Sequence, residues 1–365
     1  MKKITFVLLL LTLFVLPLSA QSPKKTQAGN QKSWSLVFIP DIQNYSKRTC
    51  NQPILDLMLA WVEDHIDSLN IKMVMCPGDL VEYNDWIINT DDGNVPTREQ
   101  WAFVGRAFDR LNGKVPYILS TGNHDYSYTP QGDRLSSLFP EYITPERNLL
   151  NQKYLCQAAP NCEGHITMEN SAFRMAMPDG KDYLFLSLEY APRDTIIRWA
   201  NNVVNLPKYK DDRIVVLTHS YINTSNDFVK GKAGMINPSV LKSNYRRTKA
   251  LLKDANNGLE IWDKLIKPNN IEMVLCGHIM GVGYRNDKNA AGKNVHEVLF
   301  DTQSEGGGHR HGNGGDGWMR IMEFSADGKT VSVKTFSPLF GCSPSTRHLA
   351  DKHDSKNEFS FSFDD

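Results

Sequence analysis

Residues 71–79 read Ile-Lys-Met-Val-Met-Cys-Pro-Gly-Asp. A short apolar run bounded by Pro and Gly reads as a strand that ends in a tight turn, and here the turn delivers a carboxylate, Asp79. The same pattern recurs on both sides. Leu36–Ile39 runs into Pro40-Asp41-Ile42-Gln43-Asn44, and Val115–Leu119 leads to Gly122-Asn123-His124-Asp125. Ile214–Leu217 is followed by Thr218-His219-Ser220, and Ile271–Cys276 by Gly277-His278-Ile279-Met280. Between these runs lie stretches with helical 3–4 spacing. Pro53–Leu69 repeats Ile54, Leu57, Met58, Trp61, Val62 and Ile66, and Arg98–Leu111 repeats Trp101, Val104, Phe108 and Leu111. Leu259–Ile266 is a shorter, weaker example. Strands alternating with amphipathic helices predict an α/β fold.

Further along, Ser171–Tyr190 alternates around Pro178-Asp179-Gly180 and reads as a hairpin. Val295–Phe300, Met319–Phe324 and Thr330–Phe336 read as late strands, with Asp327-Gly328 as a turn. Their clustering suggests a second sheet packed on the first. Residues 141–170 show no clear period and are expected to form a surface insertion. The main domain is expected to span 34–340, and the polar residues 341–365 read as a tail in which Phe359, Phe361 and Phe363 could form an edge strand.

At the N-terminus, Lys2 and Lys3 precede an apolar run to Leu16, then Pro17 and Leu18-Ser19-Ala20. This reads as an export signal over residues 1–20, cleaved after Ala20, with 21–33 as a flexible linker. The competing reading is an uncleaved anchor. The run is shorter than the roughly 20 residues a spanning helix needs, so a secreted or periplasmic protein without a permanent membrane anchor is expected. The 41 basic and 41 acidic residues balance, and a near-neutral chain lacks the basic footprint of a nucleic-acid polymer binder. Of the six cysteines, Cys76 and Cys276 end apolar runs and read as buried thiols. A local Cys156–Cys162 bridge suits an exported chain; Cys50 and Cys342 have no assigned partner, a long-range bridge between them being one option.

In open α/β sheets, ligands bind at the carboxyl ends of strands. Five strand ends in this chain each deliver a carboxylate, amide or imidazole to one edge. Taken singly, each motif has a plainer reading as a turn whose Asp or Asn caps backbone amides. Their order and placement together point to a site.

The ordered set resembles the calcineurin-like metallophosphoesterases, whose signature runs Asp-x-His, Gly-Asp, Gly-Asn-His-Asp/Glu, His, then Gly-His-x-His. The likeness extends from about Ser35 to Phe336. It is closest to a subset with Pro-Asp-x-Gln-Asn-Tyr at Pro40–Tyr45, Leu-Glu-Tyr-Ala-Pro-Arg-Asp at Leu188–Asp194 and Gly-Asp-Gly-Trp-Met-Arg at Gly315–Arg320. The resemblance implies a four-layer αββα sandwich of two mixed sheets, with two divalent metal ions where the sheets meet. Mn, Fe, Zn and Ca are not distinguished by the ligands. It further implies that Asp79 bridges the metals, that Asn123, His219 and His278 complete one site, and that Asp41 holds the other. The expected partner is a small-molecule phosphate ester; nothing in the pattern sets an oligomeric state. His124 is expected as general acid, with Asp125 orienting or charging its ring.

Two positions depart from the signature, both on the second metal. Gln43 replaces a His and can ligate through its carbonyl oxygen, whereas Met280 replaces the last His and offers a soft thioether. The loop Gly306–Gly312, with His309 and His311, could compensate or could be an exposed polar loop. Gln303, Trp318 and Tyr45 are candidate pocket residues, and Tyr83, Trp86, Tyr126 and Tyr128 candidate aromatic walls. The resulting expectation is an exported phosphoesterase. The rival is a single-metal protein that binds a phosphorylated or glycan ligand without turnover.

Overall fold

In the computed structural model, residues 31–84, 93–126, 136–230 and 254–364 are described. The signal segment, linker residues 21–30, Trp86 and Tyr128 lie outside them. The strands are β1 Trp34–Phe38, β2 Ile71–Cys76, β3 Tyr117–Leu119, β4 Leu155–Pro160, β5 Ile166–Ala176, β6 Asp182–Ser187 and β7 Arg213–Leu217. They continue with β8 Ile271–Cys276, β9 Gly281–Lys288, β10 Asn294–Asp301, β11 Met319–Phe324, β12 Thr330–Phe336, β13 Asp351–Lys352 and β14 Phe359–Ser362. One sheet has the order β13-β12-β11-β1-β2-β3, with β14 also pairing β12, and the other β4-β5-β6-β7-β8-β10-β9. Both are mixed. β1, β2 and β3 run parallel, with β11 antiparallel to β1, and β6, β7, β8 and β10 run parallel between antiparallel edges.

Alternation along the central strands explains the layering. Val215, Leu217, Met273 and Leu275 point toward the first sheet and join its core with Phe38 and Phe300. Their neighbours Ile214, Val216, Val274 and Cys276 point the other way, onto Ile196, Ile197 and Ala200 of the helix Asp194–Val204. Strands buried on both faces read as unbroken apolar runs, and each fully buried aliphatic or Phe side chain contributes roughly 1.5–3 kcal/mol. On the far side of the first sheet lie the helices Gln52–Asp64 and Thr97–Asp109, which bury Leu55, Met58, Leu59, Val62, Trp101, Val104 and Phe108. The result is the αββα sandwich. No helix among the described residues is long and apolar enough to cross a membrane.

Three expectations are corrected. The late strands do not make the second sheet: β11 and β12 complete the first, and only β10 joins the second. Residues 141–170, in which no period was expected, do carry regular structure: the helix Leu149–Tyr154, the edge strand β4 and the start of β5. β4 was hidden because an edge strand buries little and so shows no apolar period; most of its residues are partly exposed. None of the six cysteines is in a disulfide. Cys156 Sγ donates to the Ala172 carbonyl at 3.2 Å instead.

Residues after Cys342 are part of the sandwich. β14 pairs with Thr330–Val333, and Phe361 and Phe363 enter the core. Phe361 stacks on His296 of the opposite sheet at 4.1 Å, and His296 Nε2 meets the Ser362 carbonyl at 3.1 Å. The C-terminus therefore straps the two sheets together.

Candidate active site

The strand ends converge. Asp41, Asp79 and Gly122–Asp125 follow β1, β2 and β3 of the first sheet, whereas His219 and His278 follow β7 and β8 of the second. The loops are stitched by backbone bonds: Ile42 N donates to Asp79 O at 3.1 Å, and Gly277 N to His219 O at 2.9 Å. Asp79, His219 and His278 offer ligand atoms that all lie within 4.8 Å of one another. Two of these residues sit in left-handed backbone, Asp79 at φ +50° and His278 at φ +69°. Non-glycine residues adopt that region rarely, and it persists where surrounding bonds over-determine it. His278 N donates to Asp41 Oδ2 at 2.9 Å, and around Asp79 the bonds come from Asp125. Its buried carboxylate accepts the amides of Leu80 (2.8 Å), Val81 (3.1 Å) and Gly122 (2.8 Å).

Glycine is required where these loops touch. A Cβ on Gly122 would lie 2.1 Å from Asp79 Oδ1, and one on Gly277 would lie 2.0 Å from Asp41 Oδ1.

The donor set fits a divalent cation. His219 Nδ1 lies 3.1 Å from the Pro77 carbonyl, to which its N–H donates. Nε2 then turns its lone pair toward Asn123 Oδ1 at 3.1 Å and Asp79 Oδ1 at 3.3 Å. Three facing acceptors are stabilised only by a shared proton or a cation. Nearby, Asp41 Oδ1 and Gln43 Oε1 are buried and have no hydrogen-bond partner, and buried polar atoms are rarely left so. Mixed imidazole and oxygen donors suit first-row divalent ions.

The electrostatics agree. Burial, then the charges of Asp301 and Asp79, hold the Asp41 carboxyl well above its usual range. Burial likewise pushes Asp301 up to about 7. For Asp79 burial is again the largest influence, but the neighbouring imidazoles of His219 and His124 outweigh it and hold the group below its ordinary value.

His124 is 6% exposed, and its Nδ1 lies 2.7 Å from the Glu82 carbonyl oxygen. Glu82 Oε1 stands 3.8 Å from the same nitrogen, and Glu82 Oε2 pairs with Lys47 Nζ at 3.1 Å. Both members of that pair are buried. Burial works against a charged His124, yet Asp79 and Glu82 prevail and raise its pKa above the ordinary imidazole value. The expectation that Asp125 orients this ring is thus corrected: Asp125 is committed to the backbone, and Glu82 takes the ring.

The second half of the site is held by amides. Gln43 Nε2 donates to Asp79 Oδ2 (3.2 Å) and to Gln303 Oε1 (2.9 Å), while Gln303 Nε2 donates to Asp41 Oδ2 (3.2 Å) and Asp301 Oδ2 (3.1 Å). Other candidates stand apart. Met280 is 47% exposed. His311 is exposed and His309 partly so, and neither joins the metal-capable cluster found among the described residues. Tyr45 is not a pocket wall: it is fully buried beneath Gly314, and its hydroxyl accepts the Gly317 amide at 3.0 Å. Tyr126 is buried too, donating to Glu169 at 3.0 Å. Trp318 is buried, with Lys352 over its ring.

Sequence reasoning missed Glu82, Lys47 and Asp301. Asp301 closes an apolar run just as Asp41 and Asp79 do, so the same strand-end rule would have found it. Glu82 and Lys47 carry no local signal.

A family model described as calcineurin-like phosphoesterase matches residues 35–281. The "Uncharacterized protein YvnB" of Bacillus subtilis (strain 168) is 27% identical over 340 residues, covering 91% of this chain and 22% of that protein. The chain thus spans about a fifth of the length of that curated relative. A solved structure described as GAP50, the anchor in the inner membrane complex of Plasmodium, aligns with TM-score 0.43 and 14% identity over 90% of this chain and 91% of that one.

Proposed function

Because the chain belongs to the calcineurin-like phosphoesterase family, we propose that it is an exported, metal-dependent hydrolase of small phosphomonoesters or diesters. The convergence of Asp79, His219 and His278 on one point carries this reading. Asn123 completes that ligand set, and Asp41 with Gln43 would hold a second cation. Divalent cations there supply Lewis acidity for a phosphoryl oxygen and an attacking water. The remaining work falls to the chain's own groups. His124, its Nδ1 engaged by the Glu82 carbonyl, gives a proton from Nε2 to the departing alkoxide. Glu82 and Asp79 favour the protonated ring this requires. Asp125 keeps the Asp79 and Asn123 loops in register. Export rests on residues 1–20.

A second reading is favoured by the exposure of Met280 and by the Gln43–Gln303 amides spanning Asp79 and Asp41. In it the protein holds one cation and recognises a phosphorylated or glycan ligand without turnover. Elemental analysis of purified protein, alongside hydrolysis of mono- and bis-p-nitrophenyl phosphate with added divalent ions, separates the two. Near two metals per chain with turnover supports the hydrolase. About one metal and no turnover with any cation overturns it in favour of the binding protein. Activity lost in Asp79→Ala but kept in Asp41→Ala points to a hydrolase that works with one metal.

A further inference from the structure

The segment Leu188–Asp194, which follows β6, touches the loops that carry Asn123, His219 and His278. Leu188 N donates to Leu217 O at 3.0 Å, just before His219, and its carbonyl accepts Ser120 Oγ at 2.7 Å. Tyr190 N donates to Thr121 Oγ1 at 3.2 Å, two residues before Asn123. The segment therefore ties the loops of one sheet to those of the other at the site itself.

Its conformation is strained and tightly held. Ala191 lies at φ +46°, in left-handed backbone. Buried Glu189 receives Arg193 Nε at 2.7 Å, Arg193 Nη2 at 3.0 Å, Arg193 N at 3.1 Å and Asn170 Nδ2 at 2.8 Å. Its own amide donates to Asn170 Oδ1 at 2.9 Å. Strain persists where the surroundings over-determine it, and it gathers at functional sites. What this corner aims is the ring of Tyr190. Buried at 3% exposure, it lies 5.7 Å from the His219 ring, edge-on at 77°, and 6.2 Å from the His278 ring. The two imidazoles are themselves 4.9 Å apart.

We propose that Tyr190, aimed by the Glu189–Arg193 corner, is a positioning residue that holds the His219 and His278 imidazoles in ligating orientation toward Asp79. The inference rests on the cation-site reading above. Groups that orient metal ligands without touching the metal typically contribute 10–100-fold in affinity. The role is assigned to the ring, which makes the contacts to both imidazoles.

The test is titration of chelator-stripped protein with Co2+, read by calorimetry and by visible absorption. Tyr190→Leu should bind Co2+ at least about tenfold more weakly with an altered band, and Tyr190→Phe should match the wild type. Wild-type affinity and spectrum in Tyr190→Leu overturn the inference, as does equal weakening in Tyr190→Phe. If Tyr190→Leu does not fold, Arg193→Met loosens the same corner: weaker Co2+ binding supports the proposal and unchanged binding overturns it. Wild-type protein that takes up no Co2+ removes the cation-site reading itself, and the inference with it.

Discussion

The carbonyl oxygen of Glu82 lies 2.7 Å from Nδ1 of His124. That contact fixes the tautomer, so the atom able to deliver a proton is Nε2. The consequence is a dependence on leaving group. His124→Ala should slow hydrolysis of an alkyl phosphate by about 100- to 10,000-fold, and that of p-nitrophenyl phosphate far less, because a good leaving group needs no proton. Equal losses on both substrates in steady-state kinetics would remove the general-acid role.

Lys47 and Glu82 form a buried ion pair, 1% and 3% exposed at their side chains. Removing one partner leaves the other charge uncompensated in low dielectric. Lys47→Met should cost about 3–5 kcal/mol in denaturant unfolding, and Lys47→Met with Glu82→Leu should recover much of it. No loss in the single variant would mean that Glu82 is not ionised there.

Gly122 has no room for a side chain against Asp79. Gly122→Ala should displace the Asp79 carboxylate and abolish high-affinity divalent binding in a calorimetric titration while the far-UV signal is kept. Undiminished binding would place the cation away from Asp79.

His296 lies under the C-terminal strap, and burial pulls its pKa down to about 4 against the opposing Ser362 carbonyl. A group depressed in the folded state stabilises the fold above its unfolded value and loses that contribution as pH falls. Between pH 6.5 and 4 the melting temperature should therefore drop more in the wild type than in His296→Phe, which cannot titrate. Parallel melting curves across that window would show that the strap is not pH-sensitive.

Six cysteines outside any disulfide predict that a thiol reagent counts six per denatured chain, with or without prior reduction. A count of four without reductant would restore a bridge.

The α/β class and the order of motifs were legible along the chain because each is local. A strand buried on both faces writes a short apolar run, and the turn after it writes its own Pro, Gly, Asp or Asn. Asp41, Asp79, Asn123, His219 and His278 are readable for that reason. Sheet membership was not, because β11 reaches β1 across nearly the whole chain and pairing partners leave no local period. For the same reason the partner of His124 could not be read: Asp125 is its neighbour in sequence, but the turn spends that carboxylate on backbone amides and brings Glu82 to the ring. Local composition determined which groups reach the rim of the sandwich. Only the packing of two sheets decided which of them face one another, since side-chain aim is set by long-range contacts that no single segment contains.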